Sequence, residues 1–92
     1  MTNNEIEVLS TIYDLALEWG SPNFEMVEEE VSYSIKQLRG IVTNLQQKGK
    51  VEVFCNSAGI NILMVEGIEN PDQNFMGTPE EWEELKIKAV AA

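Results

Sequence analysis

The sequence predicts an α+β domain in the order helix, helix, helix, strand, strand, helix, and three observations lead there. Apolar residues recur at three- and four-residue steps in the stretches before residue 48, the signature of amphipathic helices. Between residues 51 and 65 this period gives way to two short runs of β-branched and aromatic residues around Asn56-Ser57-Ala58-Gly59, the pattern of a hairpin. Thr78-Pro79-Glu80-Glu81 then forms a capping box with proline at the first helical position, which opens one more helix.

Each element has its own punctuation. Thr2, Asn3 and Asn4 offer N-caps to a first helix, α1, over about residues 4–19, with Ile6, Leu9, Ile12, Tyr13, Ala16 and Leu17 as its apolar stripe. Gly20 is placed to cap it and Pro22 cannot continue it. Asn23 caps a short second helix, α2, over about 24–30, with Phe24, Val27 and Val31 on one side and Glu28 to Glu30 crowded at an end that the helix dipole disfavours for acids. Ser34-Ile35-Lys36-Gln37 is a capping box, with Tyr33 positioned to staple onto Leu38, and it opens α3 over about 35–48. Ile35, Leu38, Ile41, Val42 and Leu45 form the α3 stripe, and Gly49 supplies its C-cap. Strands over 51–55 and 60–65 make the hairpin. The aperiodic segment 67–77 reads as a loop in which Phe75 and Met76 are pinned to the core. A last helix, α4, follows within residues 78–92 on Trp82, Leu85 and Ile87, with Ala91 and Ala92 fraying.

Ninety-two residues enclose one core, and 43% hydrophobic with 24% charged residues is a folding composition. No apolar run approaches the ~20 residues of a membrane span, and Met1-Thr2-Asn3-Asn4-Glu5 lacks the features of a signal peptide, so the expectation is a cytoplasmic protein with no membrane partner. A single cysteine, Cys55, and no histidine leave no disulfide and no ordinary zinc ligand set, so neither a metal nor a cofactor is expected. The missing histidine also removes the commonest general base, and the glutamates at 28–30 and 80–84 lie in charge runs that read as solvated faces. The chain is therefore not expected to be an enzyme. Cys55 reads as a small buried strand residue, Trp19 and Trp82 as core or interface anchors, and Met26, Met64 and Met76 as gap fillers.

The net charge of -10 is unevenly spread. Every base before the C-terminal tail falls between Lys36 and Lys50, and no acid lies between Ser32 and Lys50. The chain before that stretch carries eight acids and no base. Such sign asymmetry points to one face built for a different partner.

Three helices, the second and third joined by a tight turn and followed directly by a hairpin, follow the order of a winged helix-turn-helix, α1-α2-α3-β-β-α4, with residues 1–66 as the winged-helix core. The run from Tyr33 to Val51, with Ser34 as cap, apolar residues at set steps, and then Leu45, Gly49 and Val51, resembles the recognition helix and start of the wing in bacterial and phage winged-helix regulators, including the MarR-like group. The resemblance covers about thirty residues and marks the superfamily without resolving a family. It implies that α3 enters the major groove of double-stranded DNA with its N-terminal half reading base edges. Lys36, Gln37, Arg39, Gly40, Thr43 and Asn44 would form the reading face, and Lys48 and Lys50 would lie near phosphates. Gly40 would let a bare backbone approach the partner closely. Regulators of this kind read paired half-sites, and α1 and α4 carry more apolar residues than one small core needs, so a homodimer is expected.

Two features flanking that segment favour a different partner. The hairpin tip, residues 56–61, has no Arg or Lys for the minor groove, and Glu28 to Glu30 lie near the presumed groove face, where they would repel phosphate. The alternative is an acidic winged-helix protein-interaction module, an accessory or inhibitory protein of a phage or mobile element that meets a basic partner or imitates DNA.

Overall fold

Side-chain caps set most of the element boundaries. In the computed structural model, which describes residues 1–68 and 74–91, the elements are α1 (Asn3–Trp19), α2 (Phe24–Glu30), α3 (Ile35–Gln47), β1 (Glu52–Cys55), β2 (Asn61–Met64) and α4 (Pro79–Ala91). The loop expected at 67–77 and the fraying expected at Ala92 fall partly or wholly on residues 69–73 and 92, outside the described residues.

Thr2 is the cap chosen for α1: its hydroxyl accepts from the Glu5 N–H, while Glu5 accepts from the Thr2 N–H at 2.7 Å. Ser34 with Gln37 and Thr78 with Glu81 repeat the reciprocal arrangement on α3 and α4, and Asn23 caps α2 by accepting from the Met26 N–H. At the far end of α3, Gly49 has φ +72°; its N–H donates to Gln46, and the Lys50 N–H reaches back to Leu45 at 2.9 Å. This Schellman closure turns the chain straight into β1.

β1 and β2 pair antiparallel with Glu52 opposite Met64 and Cys55 opposite Asn61. The intervening turn is held by the Asn56 carboxamide, which accepts from the N–H groups of Ala58 and Ile60. The linker between α1 and α2 adds a rung that the sequence reading took only as a turn: the Leu63 N–H donates to Pro22 O at 2.8 Å, and Asn23 bridges antiparallel to Ile62. The hairpin is thereby tied to the start of α2.

The core joins Val8, Leu9, Ile12, Tyr13 and Ala16 of α1 to Val27 of α2, Leu38, Val42 and Leu45 of α3, Leu63 of β2 and Trp82 of α4. The buried face of α1 is thus rotated from the expected stripe: Glu5 and Val8 are inside, Ile6 is half-buried and Leu17 is exposed. Trp82 is 1% exposed, donates its indole N–H to Tyr13 O at 2.6 Å and packs between the rings of Tyr13 and Phe75, with centroids 5.0 and 4.7 Å away. Gly67 permits this packing, because a Cβ there would come within 2.8 Å of the indole.

Three expectations need correction. Trp19 is 68% exposed, so of its two expected roles, core or interface anchor, the core one is excluded. Met76 is 92% exposed; only its neighbour Phe75 packs inward, against Trp82. Cys55 is exposed because it ends β1 opposite the exposed Asn61, next to the hairpin turn. Among the described residues, no helix is long and apolar enough to cross a membrane.

Candidate nucleic-acid interface

The N-terminal half of α3 is fixed by its cap and its apolar stripe. Leu38, Val42 and Leu45 are buried, with Ile35 and Ile41 half-buried beside them. Helical geometry then turns Lys36, Gln37, Arg39, Gly40, Thr43 and Asn44 outward, and all six are exposed.

Exposure does not leave all six equally available. Gln37 Oε1 accepts from the Ser34 N–H at 3.0 Å and from its hydroxyl at 3.2 Å, so the carboxamide that would pair with adenine is already engaged in the cap. The Thr43 hydroxyl donates to Arg39 O at 2.8 Å, leaving its methyl group outward as the distinctive contact. Asn44 is exposed one turn beyond Gly40. A Cβ added to Gly40 would meet nothing within 4 Å, so packing within the chain does not require glycine there.

The bases divide into two groups. Lys48 donates to both oxygens of Glu5, at 2.8 and 2.9 Å, and Lys86 bridges Asp14 at 2.9 Å and Glu83 at 3.8 Å. The Glu5 carboxylate is 3% exposed, and its pKa is held at about 2 instead of 4.5, first by the Lys48 hydrogen bond and then by the Thr2 N–H. Lys48 therefore neutralises a buried acid, a role the sequence reading missed. The signal was present: Glu5 stands three residues after Thr2, as a capping box requires, and three before Val8 on the buried stripe. Among the described residues, Lys36, Arg39, Lys50 and Lys88 form no ion pair. Lys50 is half-buried and lies beyond the end of α3, away from the Lys36 end.

Arg39 also lines an open cleft of about 510 Å³ between α2, the start of α3 and the hairpin tip. Phe24, Ile35 and Ile60 give the cleft an apolar floor, and Glu25, Glu28 and Glu29 share its wall with Arg39. Nearby carboxylates of this kind oppose phosphate at short range, because salt screens only beyond about 8 Å. Among the described residues, no group of three or more metal-ligating side chains is placed to hold an ion.

The geometry thus brings together Lys36, Arg39, Gly40, Thr43 and Asn44 as one exposed face and separates Lys48 and Lys50 from it. Set beside protein-family models, curated proteins and solved structures, the chain matches none of them.

Proposed function

We propose that this chain is a winged helix-turn-helix regulator that seats the outer face of α3 in the major groove of double-stranded DNA. The observation that carries the reading is the α3 face itself, exposed and bearing Lys36 and Arg39, which form no ion pair among the described residues, beside Gly40. The order α1-α2-α3-β1-β2 and the rung from Pro22 and Asn23 to β2 support the winged-helix assignment. Arg39 is the base reader, through bidentate pairing with guanine; Lys36 contacts phosphate; Asn44 and the Thr43 methyl flank them. Exposed Leu17, Trp19 and Ile87 support pairing of two copies through α1 and α4, which analytical ultracentrifugation at micromolar concentration tests.

The salt dependence is the experiment of choice. With Lys36 as the phosphate-directed base on the face and Arg39 spent on a base edge, the log–log slope of affinity against salt should be about −0.9 per protomer, or about −1.8 for a dimer. A slope of zero, or an affinity unmoved by neutralising both residues, removes the DNA reading.

The second reading, a protein-interaction module, is favoured by the cleft that Glu25, Glu28 and Glu29 share with Arg39. Its partner would present a basic, partly apolar segment to that cleft. Binding abolished by Glu28→Lys with Glu29→Lys, and untouched by Lys36→Ala, would select this reading.

A further inference from the structure

We infer that the chain binds a small phosphate-class anion in a pocket where the end of α3 meets α1 and α4, separate from the α3 face. The pocket holds about 200 Å³ and is lined by Tyr13, Lys48, Gly49, Lys50, Glu66, Lys88 and Ala89. In a protein of net charge -10 with only six bases, three of those six converge on this one recess. Lys48 and Lys50 stand together at the end of α3, and Lys88 joins them from α4, about forty residues on, so tertiary packing and not the local sequence brings the third base to the recess.

The second observation is independent of the lysines. Tyr13 is fully buried, and its hydroxyl has no hydrogen-bond partner among the described residues. A buried hydroxyl left unpaired is costly, and native proteins rarely tolerate one without a reason. Burial and the charge of Glu66 push the phenol pKa up to about 12, so at neutral pH this group is a proton donor. The recess therefore has one neutral donor on its inner wall and ammonium groups around it.

The donor set selects the ligand class. The backbone N–H groups of Gly49 and Lys50 are spent on Gln46 and Leu45, which leaves side chains to do the binding. Lys48 gives two hydrogens to Glu5 and keeps a third, while Lys50 and Lys88 form no ion pair among the described residues. With Lys48 neutralised by Glu5, Lys50 and Lys88 against the single Glu66 carboxylate leave the recess net positive, which suits an anion, and four separate donors suit several acceptor oxygens. A phosphate or phosphate monoester has both properties. The volume is below the ~300 Å³ of ordinary drug-sized sites, which limits the ligand to a small one. The inference does not rest on DNA binding, since neither Lys36 nor Arg39 takes part.

The test uses the full chain with inorganic phosphate as probe and chloride at matched ionic strength as reference. Phosphate at about ten times its dissociation constant should raise Tm by on the order of 5–10 °C over chloride. Amide resonances of Tyr13, Gly49, Lys50, Glu66 and Lys88 should shift with one saturating constant. Tyr13→Phe, which keeps the buried ring, and Lys88→Ala, on the exposed side, should each weaken phosphate about tenfold or more. Equal Tm in the two salts, or a full phosphate response in either variant, overturns the inference. A parallel titration with a short DNA duplex separates the two sources of phosphate. Pocket shifts with duplex and none with inorganic phosphate would assign the recess to the DNA backbone and overturn the small-anion proposal.

Discussion

The two ends of α3 carry bases from one cluster in the sequence, yet they do opposite things. At the N-terminal end Lys36 and Arg39 stand outward without an ion pair among the described residues; at the C-terminal end Lys48 is held by Glu5 and Lys50 faces the recess beside α4. The difference comes from what the rest of the chain brings near. The start of α1 places a buried carboxylate under Lys48, whereas α2 and the hairpin leave the opposite end open. The twelve helical steps from Lys36 to Lys48 span about 18 Å, roughly twice the physiological screening length, so the ends act as separate electrostatic sites. A charge cluster in sequence is one site only if it also shares a face and a turn.

That contrast is broken most severely by releasing α4. Trp82→Ala removes a fully buried indole and its hydrogen bond to Tyr13 O, and should cost about 3–5 kcal/mol in urea denaturation. The exposed Lys86 pair with Asp14 cannot compensate, because such bridges contribute about 0–1 kcal/mol. Below its lowered midpoint the variant should lose the C-terminal recess and keep the α3 face. The next effect is on binding: Arg39→Ala should weaken DNA by about 1–3 kcal/mol and relax specificity at one base pair, while Lys36→Ala lowers the salt slope by about 1. Lys48→Gln should leave DNA affinity within about twofold, since uniform contacts of that kind are not made from the paired end. Fluorescence anisotropy across a salt series checks all three, and equal losses at Lys36 and Lys48 would erase the distinction between the ends.

Much of the fold was legible because local chemistry and global packing agree. Ser34 with Gln37, Thr78 with Glu81, Asn23 and Gly49 are short-range signals, and each sits where its cap or turn is found. The α3 face was legible too, since a stripe of Leu38, Val42 and Leu45 leaves its complement outside. What was not legible depended on long-range approach. Nothing local tells that Glu5 will meet Lys48, that Pro22 will bond Leu63, or that Tyr13 and Lys88 will share a wall. Gln37 was a different case: the capping box already implied that its carboxamide was engaged, and one side-chain oxygen does not serve a cap and a base edge together.

Acid sharpens the comparison from the C-terminal side. Glu5 has its pKa lowered from 4.5 to about 2 in the fold, so its ion pair stabilises fully above pH 4.5 and the contribution is lost as pH falls through about 2. Glu5→Gln should be less stable than the parent at neutral pH by an amount that stays level down to about pH 5 and shrinks steadily between 4.5 and 2. Denaturation midpoints of both proteins across that window give the curve. A gap that persists unchanged at pH 2 would show that packing around Glu5, and not its charge on Lys48, holds that end of α3.

The smallest effect separates the two glycines of the same helix. Gly40 sits in the helical interior with open space where a Cβ would go, while Gly49 takes φ +72° at the C-terminal closure. Alanine at Gly40 should therefore stabilise by about 0.4–1 kcal/mol, and alanine at Gly49 should destabilise by about 1–2 kcal/mol through left-handed strain. Stability alone favours alanine at Gly40, so glycine there requires a reason outside the folded monomer. If close approach of a DNA groove is that reason, Gly40→Ala gains stability and loses affinity in the same preparation, while Gly49→Ala keeps the affinity of whatever fraction stays folded. Gain of stability with affinity unchanged would move the point of closest approach along α3, away from Gly40 and toward Lys36.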